Sequence, residues 1–140
     1  MRALVQRVSR ASVTVDGGEV SSIGRGLVVL LGVHRDDDRE SAERTVRKLL
    51  ALRVFEDGDG KMNLAAADVG AAFLCVSNFT LYGDTRKGNR PSFVEAAPPE
   101  VAEPLYEAVR EGLGAAGGRF GARMAVELVN DGPVTLLVEA

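Results

Sequence analysis

The sequence has very few of the residues that form disulfides or hold metal ions. Its 140 residues include one cysteine, Cys75, and one histidine, His34. One cysteine excludes an intramolecular disulfide, and one histidine excludes a histidine-rich metal cluster. A chain of this length still buries about two-thirds of its unfolded surface, which is enough for a core without such cross-links. We therefore expect a single domain over residues 1–140 and no metal or cofactor.

The chain also lacks a long hydrophobic run and a strong charge of either sign. Its longest apolar stretch, Leu27–Leu31, is far shorter than the roughly 20 residues that cross a bilayer. The first residues show no signal-peptide pattern, so we expect a cytoplasmic protein without a membrane partner. The net charge of −3 argues against nonspecific coating of nucleic acid. It leaves room for a local basic patch that contacts one end of an RNA.

Turn-forming residues and short apolar runs predict a mixed α/β domain in which strands outnumber helices. The run Leu27–Leu31 is typical of a strand that is buried on both faces. Asp16-Gly17-Gly18 is a strong turn signal. The remaining strands are expected at residues 2–8, 12–15, 20–23, 72–82, 124–129 and 134–139, with a further short strand that starts at residues 54–55 and ends at the turn of residues 57–60.

A first amphipathic helix is expected at residues 37–51, where apolar residues recur at helical spacing. The acidic run of residues 36–38 supplies its N-cap. In that run Asp37 is followed three residues later by Glu40, which is the spacing of a capping box.

A second amphipathic helix is expected at residues 100–113. It contains Pro104, which has no N–H to donate, so we expect the regular helix to start near residue 102 or its first turn to be kinked. The residues at its end, Gly112–Gly117, match the GxGxxG pattern of dinucleotide-binding loops. That pattern requires a strand before it and a helix after it, so the glycines are interpreted as a helix end.

Three other features carry little functional signal. Residues 57–60 are similar to the start of a calcium loop, but the next two residues lack the required ligand and glycine, so the segment is interpreted as a turn. His34 is expected as a polar residue at a strand end, and Cys75 as a small buried hydrophobe. A catalytic dyad of these two residues stays open at this point.

The segment Ser77-Asn78-Phe79-Thr80-Leu81 is unusual because hydroxyl and amide side chains interrupt an apolar run. In an extended chain Ser77, Phe79 and Leu81 share one face, and Asn78 and Thr80 share the other. A strand that leaves the core, with its polar groups satisfied by neighbours, explains this pattern as well as a functional site does.

A second unusual segment, Asn130-Asp131-Gly132-Pro133, is predicted to be a turn between two strands. Pro133 then occupies the first position of a strand, which tolerates proline. A plain hairpin connection accounts for this segment equally well, and the isomer of the bond before Pro133 cannot be deduced from the sequence.

Together the two segments resemble the signature motifs of the D-aminoacyl-tRNA deacylases, which usually read Ser-Gln-Phe-Thr-Leu and Asn-x-Gly-Pro-Val-Thr. Asn78 departs from the usual glutamine, which keeps the amide but shortens its reach by one methylene. Further family-like matches spread along the whole chain in the same order: Gln6-Arg7-Val8, Ala11-Ser12-Val13, Gly60-Lys61-Met62-Asn63, residues 84–93 ending in Arg-Pro-Ser-Phe, and Gly118-Arg119-Phe120-Gly121.

This resemblance implies the deacylase-family fold, a single domain of mixed, largely antiparallel sheet with two main helices. It also implies hydrolysis of the ester that joins a D-amino acid to tRNA, and of glycine mischarged on the alanine tRNA, as quality control in translation. In the family the Gly-Pro bond is cis and enters the partner subunit's site. Carried onto Gly132 and Pro133, this implies a homodimer in which a rigid backbone element rejects L-aminoacyl-tRNA.

The resemblance places the catalytic site at Ser77, Asn78, Phe79 and Thr80. Thr80 could be a nucleophile, or the backbone N–H groups of Phe79 and Thr80 could stabilise the oxyanion while the RNA 2′-hydroxyl helps to activate water. We favour the second route because the chain is poor in acid–base candidates.

Supporting roles are assigned to Arg7, which would brace the Gly-Pro element, and to Asn130. The basic residues Arg86, Lys87 and Arg90 would contact phosphates of the tRNA acceptor stem, or would simply form a solvated charged loop. Two alternatives to this enzyme remain: a module that binds the tRNA end without catalysis, and a relative that acts on other mischarged tRNAs.

Overall fold

A computed structural model describes all residues from 1 to 140. It contains eight strands, two α-helices and two short 3₁₀ turns, at Ala66–Val69 and Phe79–Tyr82. The strands are β1 (Arg2–Val15), β2 (Gly18–Ile23), β3 (Gly26–Gly32), β4 (Phe55–Glu56), β5 (Met62–Leu64), β6 (Ala72–Ser77), β7 (Ala116–Gly117) and β8 (Ala125–Val138), and the helices are α1 (Arg39–Ala51) and α2 (Pro99–Leu113). No helix is both long enough and apolar enough to cross a membrane.

The long strand β1 is the axis of the main sheet because it pairs on both edges. One edge pairs antiparallel with β8 over residues 3–14. The other pairs antiparallel with β3 over residues 2–8 and with β2 over residues 11–15. Strand β6 runs parallel to β3, and β7 runs parallel to β6. The sheet is therefore mixed and largely antiparallel, as the family resemblance implies.

The prediction of separate strands at 2–8 and 12–15 is wrong, because Arg10 still pairs with Val129 of β8 and keeps the strand continuous. The turn prediction after it is confirmed. Asp16 and Gly17 have φ values of 51° and 78°, and two positive φ values in a two-residue hairpin loop match the twist of the strands on either side.

Helix α1 begins after Asp38, whose carboxylate accepts a hydrogen bond from the Ser41 N–H at 3.0 Å. Ser41 in turn accepts from the Asp38 N–H at 3.2 Å, so the capping box is formed by these two residues. The hydrogen bonds from Ser41 lower the pKa of Asp38. The predicted pairing of Asp37 with Glu40 is wrong, because the Asp37 carboxylate instead accepts from the His34 N–H at 2.7 Å.

Helix α2 spans Pro99–Leu113, close to the expected residues 100–113, and includes Pro104 in its interior, so the alternative of a start near residue 102 is wrong. Pro104 removes one hydrogen bond of the helix ladder, which the burial of Tyr106 and Val109 outweighs. The helix ends at Gly114, which has φ 61°. The interpretation of the glycine-rich segment as a helix end is confirmed.

The core lies on both faces of the sheet. On one face Val29 packs in a large cluster with Leu49 of α1 and Val109 of α2. On the other face its neighbour Val28 packs in a smaller cluster with Leu74 of β6. The prediction that β3 is buried on both faces is therefore confirmed. Because β6 pairs with β3, this buried strand also fixes the position at which β6 ends.

Candidate active site

Strand β6 ends at Ser77, and the chain then enters the 3₁₀ turn Phe79–Tyr82. The Asn78 N–H donates the last hydrogen bond of this ladder to the Leu31 carbonyl, at 2.8 Å. The predicted strand over residues 72–82 is therefore too long. Because β3 ends at Gly32, the residues after Asn78 have no strand to pair with, and they form the 3₁₀ turn instead.

The turn is held against the ends of β3 and β1. Gly32 allows its close approach, since a Cβ there would lie 3.1 Å from both Leu81 and Tyr82. Arg2 donates from Nη1 to the Leu81 carbonyl at 2.9 Å, and its guanidinium lies 4.6 Å from the centre of the Tyr82 ring. Glu139 lies 3.3 Å from Nε of the same guanidinium. Sequence reasoning missed Arg2, because no local pattern indicates a contact with a residue so distant in sequence.

Within the turn, the Thr80 hydroxyl donates a hydrogen bond to the Asn78 side-chain carbonyl at 2.5 Å. The hydroxyl proton is therefore directed at an amide oxygen, which is too weakly basic to remove it. Phe79 is 55% exposed, and its ring packs edge-on against Phe93 with 5.0 Å between ring centres. The predicted alternation of faces along this segment is wrong, because the segment is not extended.

Two backbone donors are free at the start of the turn. A 3₁₀ helix leaves its first N–H groups without acceptors inside the helix. The Leu81 N–H donates to the Asn78 carbonyl, and the Gly83 N–H to the Thr80 carbonyl. The N–H groups of Phe79 and Thr80 have no acceptor among the bonds made outside regular elements. Two neighbouring free N–H groups are suited to binding an oxygen that carries negative charge.

A cavity of about 720 Å³ lies beside these donors. Ser77, Asn78 and Phe79 form one part of its wall, and most of the rest is apolar, with Phe120 and Met124 among the larger side chains. A volume of this size fits a small organic ligand such as a nucleoside. Thr80 does not line the cavity and is exposed beside it.

A Cys-His dyad is excluded by the positions of its members. Cys75 is fully buried in the core, where burial raises the pKa of its thiol to about 12. His34 accepts at Nδ1 from the Asp36 N–H and packs edge-on against Tyr82 at 5.2 Å. Neither residue lines the cavity. The interpretation of Cys75 as a buried hydrophobe is confirmed.

The second motif is a bulge inside strand β8. Gln6 pairs with Thr135 and Val8 pairs with Asn130, so the four residues 131–134 lie opposite the single residue Arg7. The predicted turn between two strands at 124–129 and 134–139 is wrong, because β1 pairs with the chain on both sides of the motif. The bond between Gly132 and Pro133 is cis, and Gly132 has φ 138°.

Arg7 closes the inner side of the bulge. Its side chain is buried, with Nε donating to the Asp131 carbonyl at 3.1 Å and Nη1 donating to the Val54 carbonyl at 2.7 Å. The carboxylates of Asp131 and Glu56 lie 3.6 Å and 3.9 Å from the guanidinium. A Cβ on Gly132 would come within 3.3 Å of this guanidinium. The backbone of the motif is thus packed directly against the arginine.

Asn130 closes the bulge from within. Its side-chain carbonyl accepts from the Val134 N–H at 2.8 Å, and its amide donates to the Thr135 hydroxyl at 2.9 Å. Both contacts span the cis bond, so Asn130 ties together the two ends of the bulged segment. Gly132 and Pro133 themselves are exposed.

One chain does not bring the two motifs together. Val126 is the last residue of β8 that lines the cavity. Asn130 follows four residues later, a distance of about 13 Å along an extended strand, and Gly132 lies further on. Neither Gly132 nor Pro133 lines the cavity.

The three basic residues predicted to contact tRNA, Arg86, Lys87 and Arg90, differ in whether they form ion pairs. Arg86 donates from Nε and Nη2 to the Asp84 carboxylate, at 3.0 and 2.8 Å. This pairing lowers the pKa of Asp84 to about 2. Lys87 and Arg90 are exposed and have no carboxylate within ion-pair distance. Of the three candidates, therefore, only Lys87 and Arg90 have a charge that is free to attract an anion.

The sequence matches a known protein family over nearly its whole length. The family model described as "D-Tyr-tRNA(Tyr) deacylase" matches residues 4–139. A D-aminoacyl-tRNA deacylase of Anaeromyxobacter dehalogenans is 61% identical over all of this chain and 97% of the relative. One of Thermomicrobium roseum is 57% identical over all of this chain and 94% of the relative.

Solved structures are similar over the same span. One, named "c-Myc DNA Unwinding Element Binding Protein", has a TM-score of 0.92 and 47% identity and covers all of this chain and 99% of its own. Another, described as a probable eukaryotic D-amino acid tRNA deacylase, has a TM-score of 0.83 and covers 98% of this chain and 97% of its own. Its 20% identity is evidence for the fold alone.

The raised pKa of Cys75 predicts that the thiol is inert in the folded protein. At pH 8 the buried group stays protonated, and only the thiolate attacks a disulfide reagent. We expect no reaction of native protein with Ellman's reagent over minutes, and complete reaction of one thiol per chain in guanidinium chloride. Fast labelling of the native protein would contradict the assignment of Cys75 to the core.

Proposed function

The chain belongs to the D-Tyr-tRNA(Tyr) deacylase family, and we propose that it hydrolyses the ester between a D-amino acid and the 3′ end of tRNA. As a member of this family it is an ester hydrolase. The observation that carries the proposal is the pair of free N–H groups at Phe79 and Thr80, which lie at the edge of a cavity of nucleoside size.

The cavity suits the last nucleoside of an RNA strand. Its lining is mostly apolar, and the exposed rings of Phe79 and Phe93 offer surfaces on which a base can stack. With the base in the cavity, the 3′-ester lies next to Ser77 and the start of the turn. The ester carbonyl then meets the free donors rather than any side-chain acid.

We infer that catalysis comes from the backbone and from the substrate. The N–H groups of Phe79 and Thr80 bind the oxygen that becomes negative when water attacks the ester carbonyl, and the neighbouring 2′-hydroxyl of the RNA helps to activate that water. Thr80 is not the nucleophile in this scheme, because its proton is directed at Asn78 and no base contacts it. Asn78 keeps the turn closed through the same hydrogen bond.

Chiral selection requires a second subunit. Gly132 and Pro133 are exposed and do not reach the cavity of their own chain. We propose that they enter the partner's cavity, where rigid backbone leaves room for a D side chain or for the hydrogen of glycine and clashes with an L side chain. Glycine mischarged on the alanine tRNA is therefore a second expected substrate.

Exposed apolar side chains flank both motifs and support a homodimer. Phe79 lies in the first motif, Val129 directly precedes the second, and Leu136 and Leu137 follow it, each between 39% and 55% exposed. A two-fold interface that buries these side chains would carry each Gly132-Pro133 element to the other chain. The cytoplasmic site of translation is the setting that this substrate implies.

The second candidate function is that of a module that binds nucleic acid without catalysis. One similar structure has a name that describes DNA binding, which favours this candidate. The net charge of −3 provides no general field for duplex DNA. The free donors at Phe79 and Thr80 favour the hydrolase, because binding alone does not require them.

Purified protein is expected to release D-tyrosine from D-tyrosyl-tRNA and glycine from glycyl-tRNA, and to leave L-tyrosyl-tRNA intact. The measurement is loss of acid-precipitable radiolabelled amino acid over time. Failure to release D-tyrosine would exclude the hydrolase and leave the binding module. Release of L-tyrosine at a similar rate would exclude the chiral filter alone.

Thr80→Ala tests the backbone route. Because the side chain only closes the turn onto Asn78, we expect kcat for D-tyrosyl-tRNA to stay within about tenfold of the wild type, whereas loss of a nucleophile costs roughly 10⁴-fold or more. Thr85→Ala, in the exposed loop, is the matched control. A loss of the larger size in Thr80→Ala, with normal folding by circular dichroism, would assign Thr80 as the nucleophile.

Gly132→Ala tests the chiral filter. The new Cβ would lie 2.9 Å from Val134 and 3.3 Å from Arg7, at a φ of 138° that L side chains rarely adopt. We expect the bulge to shift and the ratio of D- to L-tyrosyl-tRNA hydrolysis to fall by at least about tenfold. Gly17→Ala, also at positive φ but with nothing within 4 Å, is the control for strain alone. An unchanged ratio in a folded Gly132→Ala protein would remove Gly132 from the filter.

A further inference from the structure

The segment between β7 and β8 forms a wall of the cavity. Phe120, Gly121, Ala122 and Met124 all line it. Two arginines adjoin these residues in the chain, Arg119 before Phe120 and Arg123 between Ala122 and Met124; both are exposed and neither lines the cavity. The wall therefore carries its apolar side chains inward and two cations on its outer rim.

Arg119 and Arg123 are four residues apart, with a turn between them. The Ala122 N–H donates to the Arg119 carbonyl at 3.1 Å, and Gly121 has φ 77°, so residues 119–122 form a tight turn. The preceding residue, Gly118, donates its N–H to the Tyr106 hydroxyl at 3.3 Å. That hydroxyl donates to the Cys75 carbonyl of β6 at 2.7 Å. The rim is thus tied to the strand that ends in the first motif.

The charges of both arginines are free. Neither has a carboxylate within ion-pair distance. Glu127, the next acidic residue along the chain, lies 3.6 Å from Arg10 instead. Arg86, in contrast, is fully engaged by Asp84. Several other cations of the chain are also unpaired, but these two adjoin residues that line the cavity.

We propose that Arg119 and Arg123 bind the backbone phosphates of the RNA strand whose terminal nucleoside occupies the cavity. This inference rests on the proposed function, since it takes the occupant to be the 3′ end of an RNA. An apolar cavity can hold a base, but the phosphates that follow it must stay at the rim in water. Guanidinium groups bind phosphate oxygens through paired hydrogen bonds. Contacts with phosphates do not depend on the base sequence of the RNA.

The test compares substrates with and without phosphates, using the double variant R119A/R123A. For D-tyrosyl-tRNA we expect KM to rise about 2- to 30-fold with kcat unchanged, the effect of losing two exposed charge pairs. For D-tyrosyl-adenosine, which has no phosphate, we expect KM and kcat to stay at wild-type values. The slope of log KM against log salt should fall by roughly 0.7 for each arginine.

The matched control is R47A/K48A, which removes two exposed, unpaired cations from α1 and changes the net charge equally. An equal rise of KM in this control, an equal rise with D-tyrosyl-adenosine, or no rise at all in R119A/R123A would overturn the assignment. Binding of a fluorescein-labelled RNA 12-mer that ends in cytidine-cytidine-adenosine gives a second readout that does not need hydrolysis. If wild-type protein hydrolyses neither ester, the proposed function fails, and the phosphate assignment is then decided by the 12-mer alone: equal binding to wild type and R119A/R123A would overturn it.

Discussion

The double pairing of β1 is the constraint on which the rest of the structure depends. Its residues 3–8 bond to β3 on one edge and to β8 on the other, so both neighbours are set in one register. Ala3 is opposite Leu31, and Leu31 is opposite Ser77, which sets where β6 ends and the 3₁₀ turn begins. Arg7, four residues along the same strand, sets the position of the bulge in β8. A slip of one residue would move both motifs and turn every side chain of β1 to the wrong face.

The proposed site uses backbone groups more than ionisable side chains. The pKa values of Cys75 and Tyr82 are raised to about 12 by burial, and the pKa of Asp84 is lowered to about 2 by its hydrogen bonds with Arg86. These shifts move the groups away from neutral pH, where an acid or base would have to work. In the proposed function the catalytic groups are the free N–H groups at the start of the turn. Arg2 and the close approach at Gly32 hold this turn against the ends of β1 and β3.

In the proposed homodimer three parts of the surface have different roles. The turn supplies donors, the bulge supplies a rigid backbone edge to a partner subunit, and the rim at Arg119 and Arg123 supplies positive charge. Arg7 is the link inside the protein, because it packs against Gly132 on one side and bonds to the Val54 carbonyl on the other. Its guanidinium is buried and also lies 3.6 Å from the Asp131 carboxylate, so moving it away would leave a buried charge unpaired, which fixes the position of the bulge.

The sequence by itself determined what depends on neighbouring residues. The hairpin at Asp16 and Gly17, the two helices and the buried strand Leu27–Leu31 follow from φ preferences and apolar periodicity, and the family followed from matches spread along the whole chain. Only the tertiary structure decided the shape of the two motifs, since it depends on partners far away in sequence. Residues 78–82 coil because β3 ends beside them, and residues 131–134 bulge because β1 pairs on both sides of them. No local pattern contains that information, because a strand continues only as far as its neighbour offers hydrogen bonds.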